Sequence, residues 1–404
     1  MTPSCATAII SATRSPAAVQ RSAGCSMSGS ASLRVIYTTI NSIRRVWTSR
    51  SSKWRRVSAL MNAMLGPKQA PNAFSVISMT ECTCWTSLRP DSITNHPLFC
   101  GIGGHMILFF ACGRLGNQLF QYAALKEVYP KHELVFFGFD DLHRALELVD
   151  AIVIEKEKMP RGLMFSLRKL FAMLAMLRII GSIAESRENG AYHLRQRRGV
   201  VPGLYCFKPS FFQHAKILEQ LNPDFDIADG LVQSASRWLK VQGAVSAGRT
   251  RVFVHVRRGD YLSWPTCERP AVLGKQWYRN AMEEVRSIVA DPLFIVLTDD
   301  ICYAEGCFGD QPDILISHNN KFVDLALMAS CELGILSASS FAWWGAWLSR
   351  KRHDNKGIYL APKYWAGHRW GEWRPKGFIT HWITYIEMRE NSSVSSSRAR
   401  NSLE

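Results

Sequence analysis

Met106 to Cys112 ("MILFFAC") is an unbroken apolar run, as a parallel strand covered on both faces requires. Gly113 and Gly116 then mark a turn, after which Leu119, Tyr122 and Ala123 recur at helical spacing. Residues 106–130 therefore predict strand, tight turn and helix, and "HELVFFGF" (132–139) predicts a second strand. A second series starts at Arg251 with the strand "RVFVHV". The pattern then predicts helices over 274–290, 320–331 and 340–351, alternating with strands over 293–300, 332–339 and 357–362. Strands alternating with helices give parallel sheets joined by crossover helices. Two strand-first series, split near residues 240–250, predict an α/β protein of two doubly wound domains facing a cleft, over 106–248 and 249–390.

Residues 163–184, "LMFSLRKLFAMLAMLRIIGSIA", are apolar except around Arg168, Lys169 and Arg178. They predict a core helix with snorkelling basic edges or a basic amphipathic helix lying on a membrane surface. Nowhere do the roughly 18 apolar residues of a membrane span run together. Residues 1–105 are rich in Ser, Thr, Ala and Arg and resemble a targeting leader in composition, though too long for a simple one. Their scattered small polar residues predict a disordered extension or a non-native upstream start. The Ser-rich stretch 391–404 predicts a disordered tail, in which Asn391-Ser392-Ser393 is a formal glycosylation sequon.

The net charge of +16 on 404 residues is uneven: residues 1–105 carry 11 Lys and Arg against two acids, and the other 299 carry 38 against 31. No long basic block tracks a nucleic-acid backbone, so nucleic acid is excluded as a partner. The 11 cysteines show no regular pairing, and Cys82 and Cys84 lack a second Cys/His pair at zinc-finger distance. Cys112, Cys206, Cys267, Cys302, Cys307 and Cys331 lie beside apolar runs, as buried reduced thiols do, which points to a reducing compartment.

Ligands of doubly wound sheets bind beyond the carboxyl ends of the strands. In "VFVHVRRGDY" (252–261), alternation sets Phe253, His255 and Arg257 on one face and Val252, Val254 and Val256 on the other. Arg257 and Arg258 then leave the sheet edge in different directions. Two guanidinium forks neutralise a diphosphate without a metal, Gly259 permits close approach, and Asp260 can fix an arginine rotamer. The plainer reading is an arginine pair bridging acids. Read as an adhesion tripeptide, Arg258-Gly259-Asp260 would need an exposed loop, whereas it follows an interior strand.

In "CGRLGNQ" (112–118), two glycines let backbone N–H groups approach an anion at a helix N-terminus. In "ILSASSFAWWGAWL" (335–348), Ser337, Ser339 and Ser340 either cap the helix or donate to phosphate. Trp343, Trp344 and Trp347 fit core packing better than sugar stacking. Asp224 and Asp226 fit a metal-binding acid pair but read as a solvated turn. Asp299-Asp300 ends a strand and suits a ribose, a base or a magnesium ion.

"GRLGNQLFQYAA", "HVRRGDY", "DLALMASC", "SSFAWWGAWL" and "APKYW" resemble, in order and nearly in wording, the α1,2-fucosyltransferases of glycosyltransferase family 11, particularly the bacterial ones. The resemblance covers roughly residues 106–365. It implies a GT-B-like architecture of two Rossmann-like domains, the first on the acceptor side and the second binding GDP-β-L-fucose. It also implies inverting transfer to the 2-hydroxyl of a galactose-terminated glycan, with no metal or other cofactor. Arg257 resembles the family arginine that holds the β-phosphate, Arg258 the one supporting it, and His255 and Asp260 complete that motif. Gly113, Arg114, Gly116, Asn117 and Gln118 resemble the loop that closes over the donor. Asp324, Ser339, Ser340 and Phe341 resemble the nucleoside-side contacts. For the general base, Asp260, Glu268, Asp140 and Asp141 all stay open.

Animal members of that family carry an N-terminal anchor that this sequence lacks. The resemblance therefore implies a cytoplasmic enzyme, peripheral at the inner membrane and acting on lipid-linked glycans, rather than a Golgi-lumen one. Two alternatives remain: another nucleotide-sugar transferase using the same arginines, and a non-catalytic glycan-binding or adhesion protein.

Overall fold

The computed structural model describes residues 105–188, 191–214, 223–244 and 248–388. The expected leader up to residue 104 and the tail with its sequon lie outside the described residues.

The first series runs β1 (Met106–Phe110), α1 (Leu115–Val128), β2 (Glu133–Phe137), α2 (Asp140–Ala145) and β3 (Ile152–Ile154). It continues with α3 (Leu163–Met176), β4 (Gly181–Glu188), β5 (Ala191–Arg197), β6 (Leu204–Phe207) and α4 (Asp229–Val241). Its strands form a six-stranded sheet in the order β3-β2-β1-β6-β4-β5, parallel except for β5, which pairs antiparallel with β4. β1 is buried along its whole length, which is why it reads as a continuous apolar run.

The second series runs β7 (Thr250–Val256), α5 (Lys275–Ile288), β8 (Pro292–Thr298), α6 (Ile301–Phe308), β9 (Ile314–Ile316) and α7 (Lys321–Ser330). It ends with β10 (Leu333–Ile335), α8 (Ser340–Arg352), β11 (Tyr359–Pro362) and β12 (Thr384–Ile386). All six strands are parallel in the order β9-β8-β7-β10-β11-β12. This is the Rossmann winding, and it reverses between β7 and β10.

The tryptophans of α8 join the halves. Trp343 and Trp344 are fully buried, and Phe120 of α1 packs on both, with ring centroids 4.8 and 5.0 Å away. Phe225 packs on Trp344 at 5.5 Å, so the Asp224–Asp226 stretch is anchored by its aromatic while Asp224 is exposed. Core packing, not sugar stacking, accounts for these tryptophans.

Residues 163–184 do not form one helix. α3 ends at Met176, Arg178 takes a left-handed conformation (φ 57°), and β4 begins at Gly181. Parallel pairing of Gly181 to Ile183 with Tyr205 to Phe207 overrides the local helical pattern. No described helix is long and apolar enough to cross a membrane. Of the described cysteines, Cys206 and Cys331 are buried as expected, whereas Cys267 and Cys302 are exposed.

Candidate active site

β7 carries its chemistry to the point where the second sheet reverses. His255 is buried, and its Nδ1 lies 2.7 Å from Ser337 Oγ, just beyond β10. Burial pushes its pKa down to about 4, so the imidazole is neutral at physiological pH. Arg257 Nη1 lies 2.7 Å from Asp299 Oδ2, and Nη2 donates to Asp260 Oδ1 at 2.5 Å. Its neighbour goes the other way. Arg258 Nε donates to Asp300 Oδ2 at 2.9 Å, and its guanidinium sits 3.7 Å from the centre of the Tyr303 ring. Asp300 in turn caps α6, accepting from the Tyr303 N–H at 3.1 Å.

Two helix N-termini meet opposite this strand end. Gly113 has φ +83°, a conformation that favours glycine, and leads into α1. Asn117 Oδ1 accepts from Ser340 Oγ at 2.9 Å and from Gln213 Nε2 at 2.8 Å, tying α1 to α8. Ser339 caps α8, its Oγ accepting from the Phe341 N–H at 3.3 Å. Each helix start carries roughly half a positive charge and unpaired N–H groups, so their meeting favours an anion.

Between these elements lies a cavity of about 430 Å³. Arg257, Asp260, His255, Asp324, Gly113, Arg114, Gly116, Asn117, Ser339, Ser340 and Phe341 all line it. Of the residues that the resemblance assigns to the phosphate, the closing loop and the nucleoside contacts, the structure gathers all but Arg258 and Gln118. Gln118 is buried, donating to the Gly138 carbonyl at 3.4 Å and accepting from the Leu142 N–H at 3.0 Å, so it holds the turn into α2. Arg258 supports the site through Asp300 and Tyr303 instead of facing the cavity. Replacing it by Gln should lower stability only slightly, through loss of one partly exposed ion pair and one cation–π contact. Turnover should fall less than tenfold; denaturant titration beside initial rates checks both.

Sequence reasoning did not assign Tyr261, Thr298, Asn319 or Lys321 to the site, although all line the cavity. Tyr261 donates to the Ala338 carbonyl at 2.8 Å, spanning the ends of β7 and β10. Lys321, in the first turn of α7, pairs with Asp141 of α2 at 2.6 Å across the two halves. The Asn320 cap before an apolar helical run was the available signal. Asp299, read as a ligand for ribose, base or metal, lines the cavity, where it pairs with Arg257 and accepts the Arg258 N–H at 2.8 Å.

Among the four carboxylates open as general base, Asp260 lines the cavity. Asp140 caps the N–H groups of Lys156 and Glu157, and Asp141 is taken by Lys321. Glu268 is exposed and lies away from the cavity lining. Among the described residues no three His, Cys, Asp or Glu side chains stand together as a metal site.

Asp324 is the buried acid of the cavity. It accepts from Ser317 Oγ at 2.6 Å, and burial pushes its pKa up to about 7 despite that hydrogen bond.

Two Rossmann-like sheets with an anion-receptive cavity at their strand ends give a GT-B-like architecture. The chain belongs to glycosyl transferase family 11, whose family model matches residues 185–387. It is 26% identical over 286 residues to the O-antigen biosynthesis glycosyltransferase WbnK of Escherichia coli, covering 63% of this chain and 94% of that protein. To the galactoside alpha-(1,2)-fucosyltransferase 1 of Rattus norvegicus it is 32% identical over 261 residues, covering 62% of this chain and 64% of that one. An alpha-1,2-colitosyltransferase of Escherichia coli matches at 36% over 122 residues, covering 28% of this chain and 40% of that one. The solved fucosyltransferase NodZ from Bradyrhizobium aligns with TM-score 0.38 at 12% identity, over 60% of this chain and 92% of that chain.

Proposed function

We propose that this chain is an inverting galactoside α1,2-fucosyltransferase. It transfers L-fucose from GDP-β-L-fucose to the 2-hydroxyl of a terminal galactose-like residue. The observation that carries this reading is Arg257, which lines the cavity at the strand end opposite the N-termini of α1 and α8, in a family 11 chain. The acceptor hydroxyl oxygen bonds to the fucose anomeric carbon as the bond to the β-phosphate oxygen breaks and GDP leaves. The hydroxyl proton passes to a base, for which Asp260 is the candidate in the cavity lining. Charge grows on that phosphate while the sugar becomes oxocarbenium-like. Arg257 and the two helix starts are fixed before this happens, so they stabilise the transition state. Asp260 and Asp299 hold the Arg257 fork in position.

In this reading Asp324 receives the nucleoside, with Ser339, Ser340 and Phe341 beside it, and residues 249–390 form the donor-binding domain. Residues 106–248 supply the closing loop, through Gly113 to Asn117, and the acceptor side. Transfer needs no metal. The acceptor is carried on a lipid, and the enzyme works at the cytoplasmic face of a membrane.

Donor selection tests the assignment. GDP should raise the melting temperature and UDP should not. An ionised Asp324 accepts two hydrogen bonds from a guanine-like edge, whereas its protonated form loses acceptor capacity. With a pKa of about 7 in the empty protein, GDP binding at pH 6 must release a proton. The GDP affinity should therefore weaken about tenfold from pH 8 to pH 6, and Asp324→Asn should bind weakly and flatten that dependence. Calorimetric titration at both pH values checks it. UDP stabilisation without GDP stabilisation would favour a different nucleotide sugar. Turnover of a colitosyl nucleotide in preference to GDP-fucose would keep the site and change the donor sugar.

A further inference from the structure

α3 is an apolar helix that the described residues leave largely uncovered. Eleven of its 14 residues are apolar, yet only Leu167 and Phe171 are buried, Phe171 against Phe110 and Phe137 of the first sheet. Phe165, Lys169, Ala172 and Met176 follow at spacings of four, three and four, one outward stripe of the helix, and all four are exposed. Met173, Leu177 and Ile179 extend that apolar surface; Met176 is 75% exposed and Phe165 62%.

The charge beside it is one-sided. Residues 161–212 contain nine Lys and Arg and two acids, +7, while the rest of 106–404 contains 29 of each and is neutral. One 52-residue segment thus carries the whole net charge of the body. Between Glu157 and Glu185 there is no acid at all. Where α3 overhangs β4 and β6 the segment folds around a cavity of about 260 Å³. Arg168, Arg178, Arg197, Arg198 and Lys208 stand around it, over a floor that includes Phe110 and Cys206, and among the described residues no acid lines it.

We infer that this face docks on an anionic phospholipid bilayer, a lipid phosphate entering the cationic cavity and the α3 stripe entering the acyl boundary. Exposed aromatic and methionine side chains next to clustered Arg and Lys, with no acid on α3 and none among the described residues lining the cavity, are the two signals that reversible membrane anchoring combines. The inference rests on the membrane-surface part of the reading above and not on the donor or acceptor. α3 is separate from the residues that line the donor cavity.

The full chain is floated with vesicles of phosphatidylcholine alone or with 30% phosphatidylglycerol, while turnover on a soluble acceptor is followed in parallel. The expected result is binding to the anionic vesicles only, weakening as salt rises. Phe165→Ser with Met176→Ser, and separately Lys169→Glu with Arg197→Glu, should each lower that binding roughly tenfold or more. GDP-induced thermal stabilisation and turnover on the soluble acceptor stay unchanged in both pairs and show that they fold. Wild-type chain left unbound by anionic vesicles overturns the inference, as does equal binding to neutral ones or undiminished binding by both pairs. Concentration-dependent dimerisation or binding of inorganic phosphate, without vesicle binding, would assign the face to another occupant. Loss of turnover in the wild type with vesicle binding intact would instead remove the proposed function and leave the docking surface.

Discussion

Arg257→Ala should lower kcat for transfer about a thousandfold, with a smaller change in KM. Removing one preorganised donor to a developing oxyanion costs a factor of about 10²–10³. Here the loss is larger than one donor, because Arg257 is clamped by Asp260 at 2.5 Å and Asp299 at 2.7 Å. Its removal uncovers both carboxylates beside the departing β-phosphate, and they repel the charge that grows there in the transition state. The effect falls on kcat because charge accumulates on the β-phosphate only as the sugar departs. Arg257→Lys keeps the charge but loses the fork that meets two carboxylates and a phosphate together, so it should restore only part of the rate. Steady-state kinetics with varied GDP-fucose separates the two parameters. A loss confined to KM would make Arg257 a binding residue without a share in the chemistry.

Gly116→Ala should lower stability and abolish donor binding, although alanine is the better helix former. A Cβ at that position would lie 2.4 Å from the Phe341 backbone N and 2.7 Å from the Ser340 carbonyl carbon. Neither neighbour is a side chain that can swing aside, so the starts of α1 and α8 must separate. Those two starts are the joint between the halves and the wall of the cavity. Overpacking against backbone should cost about 3 kcal/mol or more, and the displaced N–H groups should no longer bind GDP. Gly230→Ala, in α4 with nothing within 4 Å of its added Cβ, is the control and should be neutral or slightly stabilising. Chemical denaturation of both variants, with GDP titrated into each, gives the comparison.

The sequence made the second half readable because its strands are buried on both faces and its helices are long. The run "RVFVHV" cannot be anything but interior, and its end had to bring arginines to a sheet edge. Residues 140–240 were harder, for a physical reason. β6 exists through pairing with β1 and β4, and β5 extends the sheet beyond β4 as an antiparallel partner. Such register is a tertiary property that a local apolar run such as 163–184 does not encode. The same limit applied at single residues. Arg257 and Arg258 are neighbours of equal chemistry, and what separates them is Asp300 and Tyr303, more than 40 positions away. Gln118 sits in a glycine-rich motif that invites a ligand, yet its amide is spent on the turn at Gly138 and Leu142. Lys321 lines the cavity because α7 starts there, which the Asn320 cap announces but does not aim.

Release of GDP from GDP-fucose by the full chain, with lactose as acceptor and EDTA present, tests the central claim most directly. The account predicts lactose-dependent release, a product with fucose α1,2-linked to galactose, and loss of both in Arg257→Ala. Neither GDP release nor GDP binding, with turnover of a different nucleotide sugar under the same conditions, would contradict it.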